Sequence, residues 1–142
     1  MSVYSGKLKV STPIRKAGGR QEINDHIRNI VMSVGSYDWN INVGSDNSVD
    51  FRNFQANSSY PNLYLPSEDW SEKNQTTFDT VISYILFRLK KLGYSYEGTI
   101  YAHNEERYWK LRVRNSEVFR SEGEVKVVYD DDNDYQVGGF SL

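Results

Sequence analysis

The densest cluster of chemically capable side chains lies in residues 98–115, GTIYAHNEERYWKLRVRN. His103, Glu105 and Glu106 stand there beside Tyr101, Tyr108 and Trp109 and a row of Arg107, Lys110, Arg112 and Arg114. A histidine flanked by carboxylates is material for general acid–base catalysis, which also needs a group to orient the ring and a cleft that excludes water. Neither is visible in the sequence. His26 makes no motif with His103, and its place at the edge of an apolar helical stripe suits a packed, neutral ring. Basic side chains interleaved with aromatic rings are instead material for a binding surface, offering charge for acidic groups or phosphates and flat area for side chains or bases.

Strand register separates these readings. With Asn104–Arg107 as a turn, His103 faces Tyr108, Ala102 faces Trp109, Ile100 faces Leu111 and Gly98 faces Val113. On the other side Tyr101 meets Lys110, Thr99 meets Arg112 and Glu97 meets Arg114. One register gives an apolar face and a polar face, which is what a half-buried hairpin requires. A solvated face is the simplest reading; as a binding surface it offers Tyr101, Tyr108, Lys110, Arg112 and Arg114, with Arg107 and Arg120 near them.

Two further stretches carry charge in patterns that bear on function. IRKAGGRQE places Arg15, Lys16, Gly18, Gly19 and Arg20 at the expected start of a helix, where backbone amides and the helix dipole favour an anion. It matches neither glycine-rich nucleotide pattern, and a flexible connector is the simpler reading of it. YDDDNDYQVGG sets Asp130, Asp132 and Asp134 at the spacing that opens a calcium loop. Tyr135 then stands where that loop needs glycine, and Ser141 where it needs glutamate. The stretch reads as an acidic tail that is mobile, shields the basic strand, or docks on a basic surface of a partner.

Whole reaction classes are excluded by composition. The chain has no cysteine, so thiol nucleophiles, disulfides and cysteine-ligated metals are ruled out. G-x-S-x-G and H-E-x-x-H are absent, while carboxylate-only catalysis would leave no local motif. A net charge of −2 gives no general attraction to nucleic acid or anionic membrane. No stretch reads as a signal peptide or a membrane span, and the two N-x-[ST] sites at Asn57 and Asn74 are read as chance; the expectation is a cytoplasmic protein that binds no membrane.

The elements that must position these residues follow from periodicity. Val3–Ser11 reads as a strand ending before Pro13. Ile23, Ile27, Ile30, Val31 and Val34 form a helical stripe stopped at Gly35. Tyr37, Trp39, Ile41 and Val43 alternate, and a GSDNS turn returns the chain so that Val43 meets Val49 and Ile41 meets Phe51. Residues 55–73 are irregular. Thr76–Leu92 reads as a helix with its stripe at Phe78, Val81, Ile82, Ile85, Leu89 and Leu92, capped by Asn74 and stopped at Gly93. Two or three strands close the chain, over 94–103, 108–115 and 117–129, the last with a break or bulge near Gly123.

With 142 residues, 38% of them hydrophobic and 14% aromatic, the chain is sized for one α+β domain over residues 1–129, followed by the tail at 130–142. The order predicts a two-layer sandwich. A βαββαβ core of the split-βαβ (ferredoxin-like) kind has two helices on one face and is extended by a C-terminal antiparallel meander. The expected function is non-enzymatic binding of a macromolecule, a protein first, as an accessory, inhibitor or immunity-type factor. The alternative is a nucleic-acid or nucleotide-binding module using the basic face or the Gly18–Gly19 loop. No cofactor or metal is expected, and a homodimer would use Tyr101 and Tyr108 as readily as a foreign partner would.

Overall fold

A computed structural model of the chain describes residues 2–11, 18–33, 40–56, 78–124 and 126–141. Its elements in chain order are β1 (Ser2–Val10), α1 (Gly19–Ser33), β2 (Ile41–Val43), β3 (Val49–Ala56), α2 (Phe78–Lys91), β4 (Tyr96–His103), β5 (Tyr108–Arg114) and β6 (Glu117–Gly123), then a single 3-10 turn at Asp131–Asn133. The strands form one antiparallel sheet in the order β2-β3-β1-β4-β5-β6. This is an α+β, two-layer arrangement. Each helix joins two strands that have a third strand between them, as a split-βαβ order requires, and β4-β5-β6 is the expected meander.

The helices form where apolar residues recur at helical spacing. α1 buries Ile23, Ile27 and Val31, and α2 buries Phe78, Val81, Ile82, Ile85 and Leu89. Tyr84 and Leu86 are buried as well, so the apolar side of α2 is broader than the stripe read from the sequence. Asp79 in its first turn and Arg88, Lys90 and Lys91 in its last complement the helix dipole. Gly93, at φ 94°, ends it: its N–H donates to Lys90 O and that of Tyr94 to Leu89 O, both at 2.9 Å.

Beneath the helices one face of the sheet supplies Tyr4, Leu8, Ile41, Val43, Phe51, Phe54, Tyr96, Ile100, Trp109, Leu111 and Val113 to a single core. Val43 pairs with Val49 and Ile41 with Phe51, as their alternation predicts. Phe51 and Phe54 are three residues apart, so a regular strand would put them on opposite faces. A bulge keeps both inside. Between Tyr4 and Gly6 the pairing advances two residues on β1 and three on β3, and Asn53 takes up the extra residue at φ 50°.

The final strand departs from expectation. β6 ends at Gly123 instead of running to Tyr129, because its last partner is Tyr108, the first residue of β5. Beyond Gly123 β5 has no further backbone to offer, and an unpaired strand has nothing to satisfy its amides. The readings at Thr12–Pro13, Val34–Trp39, most of 55–73 and Asn74 lie outside the described residues; Gln55 and Ala56 belong to β3. Among the described residues no helix is long and apolar enough to cross a membrane.

Candidate binding face

The hairpin that carries the candidate residues forms in the predicted register. Tyr101 pairs with Lys110, Thr99 with Arg112 and His103 with Tyr108, while Ile100 pairs with Leu111 and Ala102 with Trp109. Asn104 closes the turn: its amide donates to Arg107 O at 3.0 Å, and its Oδ1 accepts the amides of Glu106 and Arg107 at 2.9 and 2.8 Å. Leu111 and Val113 point into the core, so Lys110, Arg112 and Arg114 must point away from it, and all three are exposed.

The structure therefore brings Tyr101, Tyr108, Lys110, Arg112 and Arg114 together on the side of the sheet opposite the helices. Tyr101 is 62% and Tyr108 50% exposed, so at least half of each residue is open to solvent. His103 is exposed and stacks on Tyr108, with ring centroids 5.5 Å apart. A shallow depression of about 480 Å³ has Tyr101, His103, Tyr108, Lys110 and Ser121 among its lining residues. It is an open dish.

Three residues of this face were not singled out from the sequence. Phe119 pairs with Arg112 across β5–β6 and is 42% exposed, with the Arg114 guanidinium 5.1 Å over its ring. Lys7 and Lys9 extend the basic surface onto β1, because Ser5 pairs with Tyr101 and Lys9 with Glu97. The opposing charges are Asp50, held by Arg52 at 2.8 Å, Glu97, and Glu117 paired with Arg114. Neither the pairing of β1 with β4 nor that of β6 with β5 can be read from one strand alone.

Arg120 is not part of this face, contrary to its expected place beside the basic row. It pairs with Leu111 and so lies on the helix side. There its Nη1 donates to Asp79 Oδ2 and its Nε to Glu122 Oε1, each at 2.7 Å. Its guanidinium also sits 4.5 Å over the Trp109 ring. Asp79 Oδ1 accepts from Tyr4 Oη at 2.8 Å and from Trp109 Nε1 at 3.1 Å. Burial and the charge of Asp79 push the Tyr4 phenol far above its ordinary range, so it remains a donor. The cluster clasps α2 to β1, β5 and β6.

At the other predicted site, Arg15 and Lys16 lie outside the described residues. Gly18 and Gly19 have φ of 95° and 33°, and Arg20 is exposed in the first turn of α1. Glu22 occupies the same turn; its amide donates to Gly18 O at 3.0 Å, and its Oε2 accepts from Tyr94 Oη at 3.2 Å. A carboxylate thus already supplies negative charge at this helix start. Among the described residues no three His, Asp or Glu side chains gather as metal ligands do.

Comparison with known proteins finds no matching family model, no matching curated protein and no matching solved structure.

Proposed function

We propose that the chain is a non-enzymatic binding protein whose uncovered sheet face grips another macromolecule, an acidic stretch of protein before anything else. One observation carries this reading. Lys110, Arg112 and Arg114 stand in line on β5 with the exposed rings of Tyr101, Tyr108 and Phe119 around them. Paired strands hold the backbone of these residues fixed, so less conformational freedom is lost when a partner arrives. Aromatic and arginine side chains are the usual anchors of protein interfaces. Such a domain suits an accessory, inhibitor or immunity-type factor.

A nucleic acid is the second reading, favoured by the same adjacency of cations and open rings. It ranks lower because Glu97 and Glu117 lie among the cations and would repel a continuous phosphate backbone, whereas a folded protein can set its own cations opposite them.

The test is capture from native lysate with the wild-type chain and with a Lys110→Glu, Arg112→Glu, Arg114→Glu variant of unchanged circular dichroism. A protein retained by the wild type and lost by the variant supports the reading. Nuclease-sensitive nucleic acid lost in the same way replaces it with the second. Identical eluates from both baits, for a chain that also stays monomeric, overturn a binding role for this face.

A further inference from the structure

Among the described residues, the segment after β6 stands out for its exposure. Every described residue from Glu124 to Ser141 is exposed, including Val127, Val128, Tyr129, Tyr135, Val137 and Phe140. Phe140 is 97% exposed, which for a phenylalanine leaves its apolar area almost wholly in water. So many large apolar side chains within one short segment mark an interaction surface. The segment is also acidic. Asp130, Asp131, Asp132, Asp134 and Glu124 against Lys126 leave it at −4, so that of the chain's −2 the remainder carries +2.

The surface that complements it belongs to the same polypeptide. The open face offers Lys7, Lys9, Lys110, Arg112 and Arg114 for the aspartates, and the dish by Tyr101 and Tyr108 for an aromatic side chain. Yet the tail does not lie on that face in its own molecule. Its hydrogen bonds at the 3-10 turn are internal, Asn133 N to Asp130 O at 3.2 Å and Asn133 Nδ2 to Asp130 Oδ2 at 2.9 Å. Gly138 and Gly139, at φ of 90° and 59°, bend the chain so that the Phe140 ring turns back over Gly138.

We infer that the acidic, aromatic tail of one copy docks on the basic sheet face of a second copy, and that the exchange is reciprocal. This rests on the binding role given above to that face and names its occupant. Reach is not limiting. The 18 residues from Glu124 to Ser141 extend to roughly 60 Å, against a radius of gyration of about 14 Å for a body of this size. Two tails on two faces close a two-fold dimer and cover the apolar side chains of both.

Sedimentation velocity of the full-length chain over a range of concentrations tests it. The expected result is a shift to twice the monomer mass, weakened about tenfold or more by high salt. Reversing the face (Lys110→Glu, Arg112→Glu, Arg114→Glu) or the tail (Asp130→Lys, Asp131→Lys, Asp132→Lys, Asp134→Lys) leaves each variant monomeric. Mixing the two variants restores a one-to-one dimer, because each then offers the charge the other lacks. Circular dichroism confirms that each variant is folded. A wild type that stays monomeric at every concentration overturns the inference, as does a dimer that survives both reversals. A monomer that still captures a lysate protein through Lys110, Arg112 and Arg114 loses this inference and keeps the proposed function; a monomer whose two lysate baits give identical eluates loses both.

Discussion

Arg120 Nη1 donates to Asp79 Oδ2 across 2.7 Å, joining the edge strand β6 to the first turn of α2. The arginine side chain is 35% exposed and the aspartate 15%, so water screens one end of the pair more than the other. The difference sets an order of importance. Asp79 also accepts from Tyr4 and Trp109, whose donors are largely cut off from water.

Asp79→Ala leaves three donors without their acceptor and is expected to cost about 3 kcal/mol, from hydrogen bonds to a charged group and the desolvation of orphaned donors. Arg120→Ala removes one partly screened contact and its stacking on Trp109, for about 1 kcal/mol. Urea unfolding of both variants checks the ranking. An Asp79→Ala variant as stable as wild type would show that the clasp contributes nothing net.

At Gly6 and Gly98 the backbones of β1 and β4 leave no room for a side chain. A Cβ on Gly6 would collide with Thr99 O and stand 2.8 Å from Ile100 Cα; one on Gly98 would stand 2.8 Å from Lys7 O, at a φ of 143° that side chains rarely adopt. The obstructing atoms are backbone, so no rotamer change relieves the contact. Gly6→Ala is expected to destabilise by about 3 kcal/mol or more, while Ser5→Ala, on the exposed side of the same strand, stays within about 0.5 kcal/mol. Thermal melts of the two decide it; a normal melting temperature for Gly6→Ala would mean the strands can separate at little cost.

What the sequence made legible here was local, and what it hid was long-range. The hairpin register around Asn104–Arg107 follows from alternation within 18 residues, and it places five candidate residues on one face. The Asp79 clasp could not be read in the same way, because its partners lie 75, 30 and 41 positions away and each looks like an ordinary residue in its own strand. The alternation marks a break or bulge near Gly123, but that β6 ends there for good was hidden for a related reason. Residues 124–129 have a strand-like composition, but β5 has already run out. The bulge at Asn53 likewise depends on β1 lying alongside β3.

His26 predicts a dependence of stability on pH. Burial pushes its pKa below the ordinary value of 6.5, Arg88 adds to this and Glu22 opposes it; Nε2 is buried with no hydrogen-bond partner among the described residues. The unfolded chain therefore binds a proton that the folded chain resists. Full stability is kept above pH 6.5, and stability falls as pH drops below it toward the lowered folded-state value. Replacing His26→Leu removes this proton. Urea midpoints from pH 7 to pH 5 should decline less in the variant; equal declines would show that His26 is not the group responsible.

The last prediction checks the two faces of β5 residue by residue. Outward substitutions are expected to be mild: Lys110→Glu and Arg112→Glu each stay within about 0.5 kcal/mol, because both positions are exposed. Arg114→Glu should cost somewhat more, about 0.5–1 kcal/mol. It would set a second carboxylate directly opposite Glu117 and remove the cation over Phe119. Inward, Leu111→Ala should cost about 2–5 kcal/mol, since Leu111 is fully buried between its neighbours. Denaturant unfolding of the four variants measures the contrast. A costly Arg112→Glu together with a cheap Leu111→Ala would mean that the strand is turned over and that the basic row faces the helices. The expected order would show that the row is exposed in the folded protein, so that any loss of capture by charge-reversed variants reflects lost contacts and not a lost fold.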